Sequence, residues 1–137
     1  MIPKVKGKSI EEDTKGEWIY GYGNIFGEET AIMIPTATME SWYCIKVDPK
    51  TVSIYSEWRD IDKKYIHEND IITIEDKSPK DLVFLVVEFK EGSFKVRNPK
   101  GITWTGTYLR YIMNNKDDFN PRMVGNIFDN SELVKEK

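Results

Sequence analysis

Apolar and polar residues alternate at a period of two through much of this chain, the spacing of strands rather than helices. Residues 17–24 (EWIYGYGN) put Trp18, Tyr20 and Tyr22 on one face of a strand. Residues 29–34 (ETAIMI) form a second strand, joined to the first through a hairpin connection at Phe26-Gly27-Glu28. Pro35 ends it, because proline has no N–H to give to a ladder. A third run, Trp42 to Val47, stops at the extended-then-turn dipeptide Asp48-Pro49.

Thr51 to Trp58 is rich in β-branched and aromatic residues, and Asp70 to Glu75 follows as another strand. Val83 to Phe89 is apolar almost throughout, as expected of a strand covered on both faces. Glu91-Gly92 turns that strand back into Ser93 to Arg97, and Asn98-Pro99-Lys100-Gly101 closes the unit. Between Thr103 and Met113 the aromatic and aliphatic residues fit helical spacing, yet Gly106 and the flanking threonines fit an irregular strand equally well. A polar loop over 114–121 leads to a last strand, Met123 to Phe128. A short C-terminal helix follows over Ser131 to Lys135, with Asp129 or Asn130 placed to cap it. Seven or more short strands with little helix predict a mainly β protein with minor α. A small closed or half-closed barrel would remove the open strand edges.

Composition narrows the class. A chain of 137 residues fits one domain, or two very small ones sharing a core. Aromatic residues, 12% of the chain, supply bulky side chains to a core without disulfides or metals. The net charge is -3, with residues 1–70 at net -4 and 71–137 at net +1 and no long one-sided block, which argues against a basic nucleic-acid-binding domain and against a membrane-surface stripe. Cys44 is the single cysteine, so no intrachain disulfide can form and a reducing compartment is expected. No apolar run reaches membrane-span length, and MIPKVKGKSIEED lacks the apolar centre of a signal peptide. A soluble intracellular protein is expected.

Four blocks resemble the YopX family of phage and prophage proteins. GEWIYGY (Gly16 to Tyr22) is similar to the family's N-terminal Trp-Val-Tyr-Gly strand, and VDPKTVSIY (Val47 to Tyr55) to its Val-x-Pro-x-Thr-Val-x-x-Tyr segment. IHENDIITI (Ile66 to Ile74) is similar to Tyr-Glu-Gly-Asp-Ile-Val, and VGNIFDNSEL (Val124 to Leu133) to Ile-Gly-Asn-Ile-Tyr-x-Asn-Pro-Glu-Leu. The chain departs from the pattern at Asn69, where the family has glycine, at Trp58-Arg59-Asp60 in place of Leu-Lys-Asp, and at Ser131 in place of proline. The resemblance covers most of residues 16–134, with residues 1–15 expected at the periphery of a single domain over 1–137. It implies SH3-like barrel elements, a phage or prophage origin in the cytoplasm of a bacterial host, and a homo-oligomer. It implies no catalytic residues and no cofactor. Trp18, Tyr20, Pro49, Thr51, Val52, Tyr55, Asp70, Gly125 and Asn126 stand as its structural signature.

Candidate chemistry is sparse. His67 is the only histidine, so acid–base or nucleophilic catalysis would have to recruit it, with Cys44 or a serine as nucleophile. A solvated turn residue is the expected role for His67, and a small hydrophobe within an apolar strand the expected role for Cys44. Asp60, Asp62, Glu68 and Asp70 crowd one region, but their spacing matches no calcium loop. Asp70 is expected to accept hydrogen bonds from turn amides. Exposed aromatics beyond those needed for a core would serve as contact anchors, and Trp58-Arg59 is the foremost candidate. A protein partner or a second copy is expected ahead of single-stranded nucleic acid, and an enzyme built on His67 and its neighbouring carboxylates comes last.

Overall fold

The computed structural model describes residues 3–25, 30–36, 38, 40–76 and 81–135. The hairpin connection expected at Phe26-Gly27-Glu28 lies outside the described residues. Among the described residues the protein is mainly β, with 47% strand in three antiparallel sheets and two short helices. The chain divides into two compact units, residues 1–55 and 56–137.

In the first unit, β1 (Val5–Lys8) pairs antiparallel with β2 (Trp18–Gly21) on one side. On the other it pairs with the start of β6 (Ser53–Arg59). The stretch expected at the periphery therefore supplies a strand flanked on both sides, with Val5 only 3% exposed. A second sheet orders β3 (Gly23–Ile25), β4 (Ala31–Pro35) and β5 (Trp42–Lys46). The single strand expected over 17–24 is thus two, broken at Tyr22, whose N–H donates to the Met33 carbonyl at 3.1 Å. Val5, Ile19, Ile32 and Val47 form the core of this unit, with Ile34, Ile45 and Val52 packed against it.

In the second unit, β8 (Asp70–Glu75) and β9 (Leu82–Lys90) form the middle of a sheet ordered β10-β9-β8-β11, with β10 (Ser93–Arg97) and β11 (Arg122–Asn126) at its edges. The turn at Glu91-Gly92 has φ of 54° and 78°, the two left-handed residues of a turn that matches strand twist. Ile72, Ile74, Leu85, Val87 and Val96 face a core completed by Leu109, Ile112, Met113 and Phe119. The ambiguous segment resolves at its end into helix α1 (Leu109–Met113), whose buried Leu109, Ile112 and Met113 keep the i, i+3, i+4 spacing of one helical face. Helix α2 (Lys116–Phe119) occupies part of the expected loop. Among the described residues no sheet closes into a barrel, because β10 and β11 end their sheet without pairing to one another. The C-terminal helix is one 3-10 turn, Ser131–Val134. No helix among the described residues is long and apolar enough to cross a membrane.

Gly21 is required by close approach to the main chain. A Cβ on Gly21 would lie 2.3 Å from Ile32 Cγ2 and 2.4 Å from the Met33 carbonyl oxygen. The nearest atom to a Cβ on Gly23 would be Met33 Sδ, at 4.0 Å. Gly21→Ala is therefore expected to destabilise the fold by about 1–3 kcal/mol in urea titration. Gly23→Ala should shift it by less than about 1 kcal/mol.

Candidate functional site

Strand β6 explains why Trp58 and Arg59 part company. Burial alternates over Ser53, Ile54 and Tyr55, then slips by one position, so that Ser56 is buried and Trp58 half-buried. The slip coincides with Glu57, whose φ of 70° is left-handed. With unbroken alternation Arg59 would point inward. Instead Trp58 packs against the second unit's core, while Arg59 is exposed with Cζ 5.8 Å from the centre of the Tyr65 ring.

Trp58 also lines a cleft of about 140 Å³, together with Ser93, Phe94, Tyr108 and Arg110. Phe94 is held by Phe89, its cross-strand partner, with ring centres 4.8 Å apart. Tyr108 is 42% exposed and sits between two cations: Arg110 Cζ is 4.7 Å from its ring centre and Lys95 Nζ 5.4 Å. Lys95 also pairs with Glu91 at 3.6 Å, and Arg97 with Glu88 at 3.1 Å. Arg110 makes no ion pair among the described residues. Of two wider depressions, the one near 114–118 is lined mostly by polar side chains, and the one near 131–135 mixes Arg97, Ser131, Glu132 and Lys135 with Ile127 and Val134. Of the cleft residues, only Trp58 was expected as a contact point. Phe94, Ser93 and Arg110 carry no local signal, since β-pairing and the start of α1 bring them together.

The acidic cluster is structural. Asp60 is buried, and its carboxylate accepts N–H bonds from Asp62 (2.8 Å), Lys64 (2.9 Å) and Met123 (2.7 Å). It thereby holds a turn and the start of β11 at once. Asp62 pairs at the surface with Arg122 at 2.8 Å. Asp70 is fully buried and accepts the N–H of His67 at 2.7 Å. No group of three or more candidate metal ligands gathers among the described residues.

His67 is not the solvated turn residue expected. It lies in β7 (Tyr65–His67), 3% exposed, with Nδ1 3.8 Å from Asp70 Oδ2. The turn falls after it, at Glu68-Asn69, so the polar run IHEND misplaced it. Asn69 has a φ of 71°, a left-handed position for which glycine is ordinary and asparagine the usual substitute. That accounts for asparagine where the YopX pattern has glycine. Cys44 departs from expectation too: it is exposed on β5.

The signature residues hold corners. Pro49 begins a 3-10 turn over Pro49–Thr51, and the Asp48 side chain accepts the Lys50 N–H at 3.0 Å. Thr51 Oγ1 donates to the Asp48 carbonyl at 2.7 Å and accepts the Lys8 N–H at 2.8 Å, which ties this corner to β1. Val52 packs on the first core, and Tyr55 is buried with Lys4 Nζ 5.8 Å from its ring centre. Trp18 lies under Lys6 and Lys8, with Nζ at 4.7 and 5.5 Å, while Tyr20 is exposed. Asn126 Oδ1 accepts the N–H groups of Phe128 (3.0 Å) and Asp129 (2.9 Å). A Cβ on Gly125 would lie 2.3 Å from Asn130 Oδ1, the atom that accepts the Asn126 N–H at 3.2 Å. Asn130 precedes the 3-10 turn but forms no side-chain cap to it. Ser131, where the pattern has proline, is the first residue of that turn, a position proline tolerates.

These features describe a small mainly β protein with side-chain-clamped corners and one aromatic cleft. The sequence profile of the family described as YopX protein matches residues 36–135, and the chain belongs to the YopX family. The match contains the Val47–Ile74 and Val124–Leu133 blocks; GEWIYGY lies before it. No curated protein gives a significant match to the chain.

Asp60→Ala would leave three amides without their acceptor, and unfolding in urea should reveal a loss of about 3 kcal/mol. Asp62→Ala removes one exposed ion pair and should cost less than about 1 kcal/mol.

Proposed function

We propose that this YopX family chain is a non-enzymatic accessory protein of phage or prophage origin, acting inside the bacterial host as a binding module for a protein partner. The cleft bounded by Trp58, Phe94 and Tyr108 carries this reading. Its volume of about 140 Å³ suits one inserted side chain, and it is smaller than the roughly 300 Å³ at which small-molecule sites begin. An exposed tyrosine and an arginine at its mouth are the residue types that anchor protein interfaces. Arg110 selects for a partner that offers an apolar or aromatic side chain next to a carboxylate. His67 and its neighbouring carboxylates, on which an enzymatic reading would rest, do not line the cleft.

Single-stranded nucleic acid is the second reading, favoured by the cations on either side of Tyr108. Against it, Lys95 and Arg97 are already paired with Glu91 and Glu88, and the whole chain is net negative.

The test is quantitative capture from host lysate with tagged wild-type, Tyr108→Ala and Arg110→Glu proteins. Each variant should lower recovery of the specific partner by about tenfold or more. Equal recovery by all three would overturn the cleft as the docking site. Salt-dependent binding of labelled oligonucleotides, lost in Arg110→Glu, would replace the protein reading with the nucleic-acid one.

A further inference from the structure

The geometry around Tyr108 restricts what the aromatic cleft can receive. Trp58, Phe94 and Tyr108 present ring surface, and Ser93, half-buried on β10, presents a hydroxyl donor. Arg110 is exposed, with Cζ 4.7 Å from the centre of the Tyr108 ring. The cation thus stands on a ring that lines the cleft, and an anion meeting it must lie close beside whatever packs on Tyr108. An internal segment of a partner meets that demand poorly. In an extended chain successive side chains point to opposite faces, and the next one on the same face lies about 7 Å away. On a helix, same-face neighbours stand about 5–6 Å apart at Cβ. A cleft of about 140 Å³ seats a single side chain. At a C-terminus the two groups coincide, because the last side chain and the α-carboxylate leave the same Cα. Charge agrees with this. Lys95 Nζ, the other cation near Tyr108, is paired with Glu91 at 3.6 Å, which leaves one guanidinium for one carboxylate. A phosphate monoester, at about −1.5 to −2 near neutral pH, would call for more.

We infer that the cleft captures the free C-terminus of a partner protein whose last residue is aromatic or branched aliphatic. This rests on the protein-binding reading of the cleft and narrows it to one class of ligand. The terminal side chain enters among Trp58, Phe94 and Tyr108, and the α-carboxylate accepts N–H bonds from the Arg110 guanidinium. Ser93 Oγ supplies a further donor on the same lining. The residues before the terminus add little. Beside the cleft, β10 is already engaged on its outer side: Lys95 bridges to Tyr108, and the Val96 N–H donates to the Thr107 carbonyl at 2.9 Å. The partner therefore cannot extend the sheet there, as peptides do where a strand edge lies open. Recognition falls on the last residue, and sequence further back is read weakly.

Fluorescein-labelled Gly-Ser-Gly-Ser-Phe serves as the probe, as free acid and as C-terminal amide, with fluorescence polarisation read on the full chain. The acid should bind about tenfold or more tightly than the amide, the effect of losing one charge-assisted hydrogen-bonded contact. Replacing the last residue by leucine should preserve binding, and replacing it by glycine should weaken it about tenfold or more. Amidated Gly-Ser-Gly-Phe-Asp, which moves the carboxylate to the next side chain, should bind no better than the first amide. Arg110→Gln should abolish the contrast between acid and amide, whereas general damage to the cleft would weaken both alike. The contrast itself is measured on the wild-type chain, so the test does not hang on a variant. Equal binding of acid and amide overturns the inference, as does equal binding of the Phe-Asp amide or no binding of any peptide at millimolar concentration. Tighter binding of adenosine 5′-monophosphate than of the acid also overturns it, in favour of a nucleotide. If Tyr108→Ala and Arg110→Glu still lose their partner from lysate, these failures strike the C-terminal assignment alone and leave the protein-binding reading standing.

Discussion

Short strands linked by tight corners leave many main-chain N–H groups without a ladder partner, and a buried N–H must be paired somewhere. In this protein, buried or partly buried side-chain oxygens take them. Asp60 accepts three amides, Asp70 accepts that of His67, Asn126 accepts two, and Thr51 accepts that of Lys8. Two of these bonds join segments far apart in sequence: Asp60 to Met123 and Thr51 to Lys8. Within each unit these oxygens fix where strands begin, and the apolar faces then pack as the corners allow. A bond to a charged acceptor is worth more than a neutral one, which suits carboxylates to the most crowded turns.

Much of this was legible in the sequence, and the reasons differ by element. Strands β8, β9 and β10 announced themselves because long apolar runs and the Glu91-Gly92 turn agree on one hairpin. Strand β1 did not. Its sequence VKGK reads as polar and flexible, yet Gly7 lies against Val47 and Val5 is core, a placement that depends on strands far along the chain. Barrel closure was inferred from the need to hide edges, and the described sheets leave edges in place. His67 was misread because charged neighbours suggest solvent, whereas β7 and Asp70 bury it.

The cleft was legible only in part. Trp58 stood out as an aromatic beside a turn, but its orientation rests on the slip at Glu57, and glutamate carries no signal for a left-handed conformation. A residue of that kind costs free energy locally and persists only where its surroundings impose it. Here the outcome is specific: a tryptophan turned toward the core and the cleft, and an arginine turned out over Tyr65. Tyr108 and Arg110 depend in turn on where α1 starts, which the glycine and threonines before it obscured.

The contact between Gly125 and Asn130 has a consequence for how this chain can change. The space a methyl group would need at position 125 is filled by the very amide that accepts the hydrogen bond of residue 126. Neither position can therefore drift alone. Loss of the asparagine leaves a void and an unanswered N–H, and gain of a side chain at the glycine expels the asparagine. Taken together, the two changes should cost less than the sum of their separate effects, because each removes the reason for the other. Position 125 would then tolerate alanine only in a chain that had already given up its asparagine, so the order of substitution matters as much as the substitutions themselves.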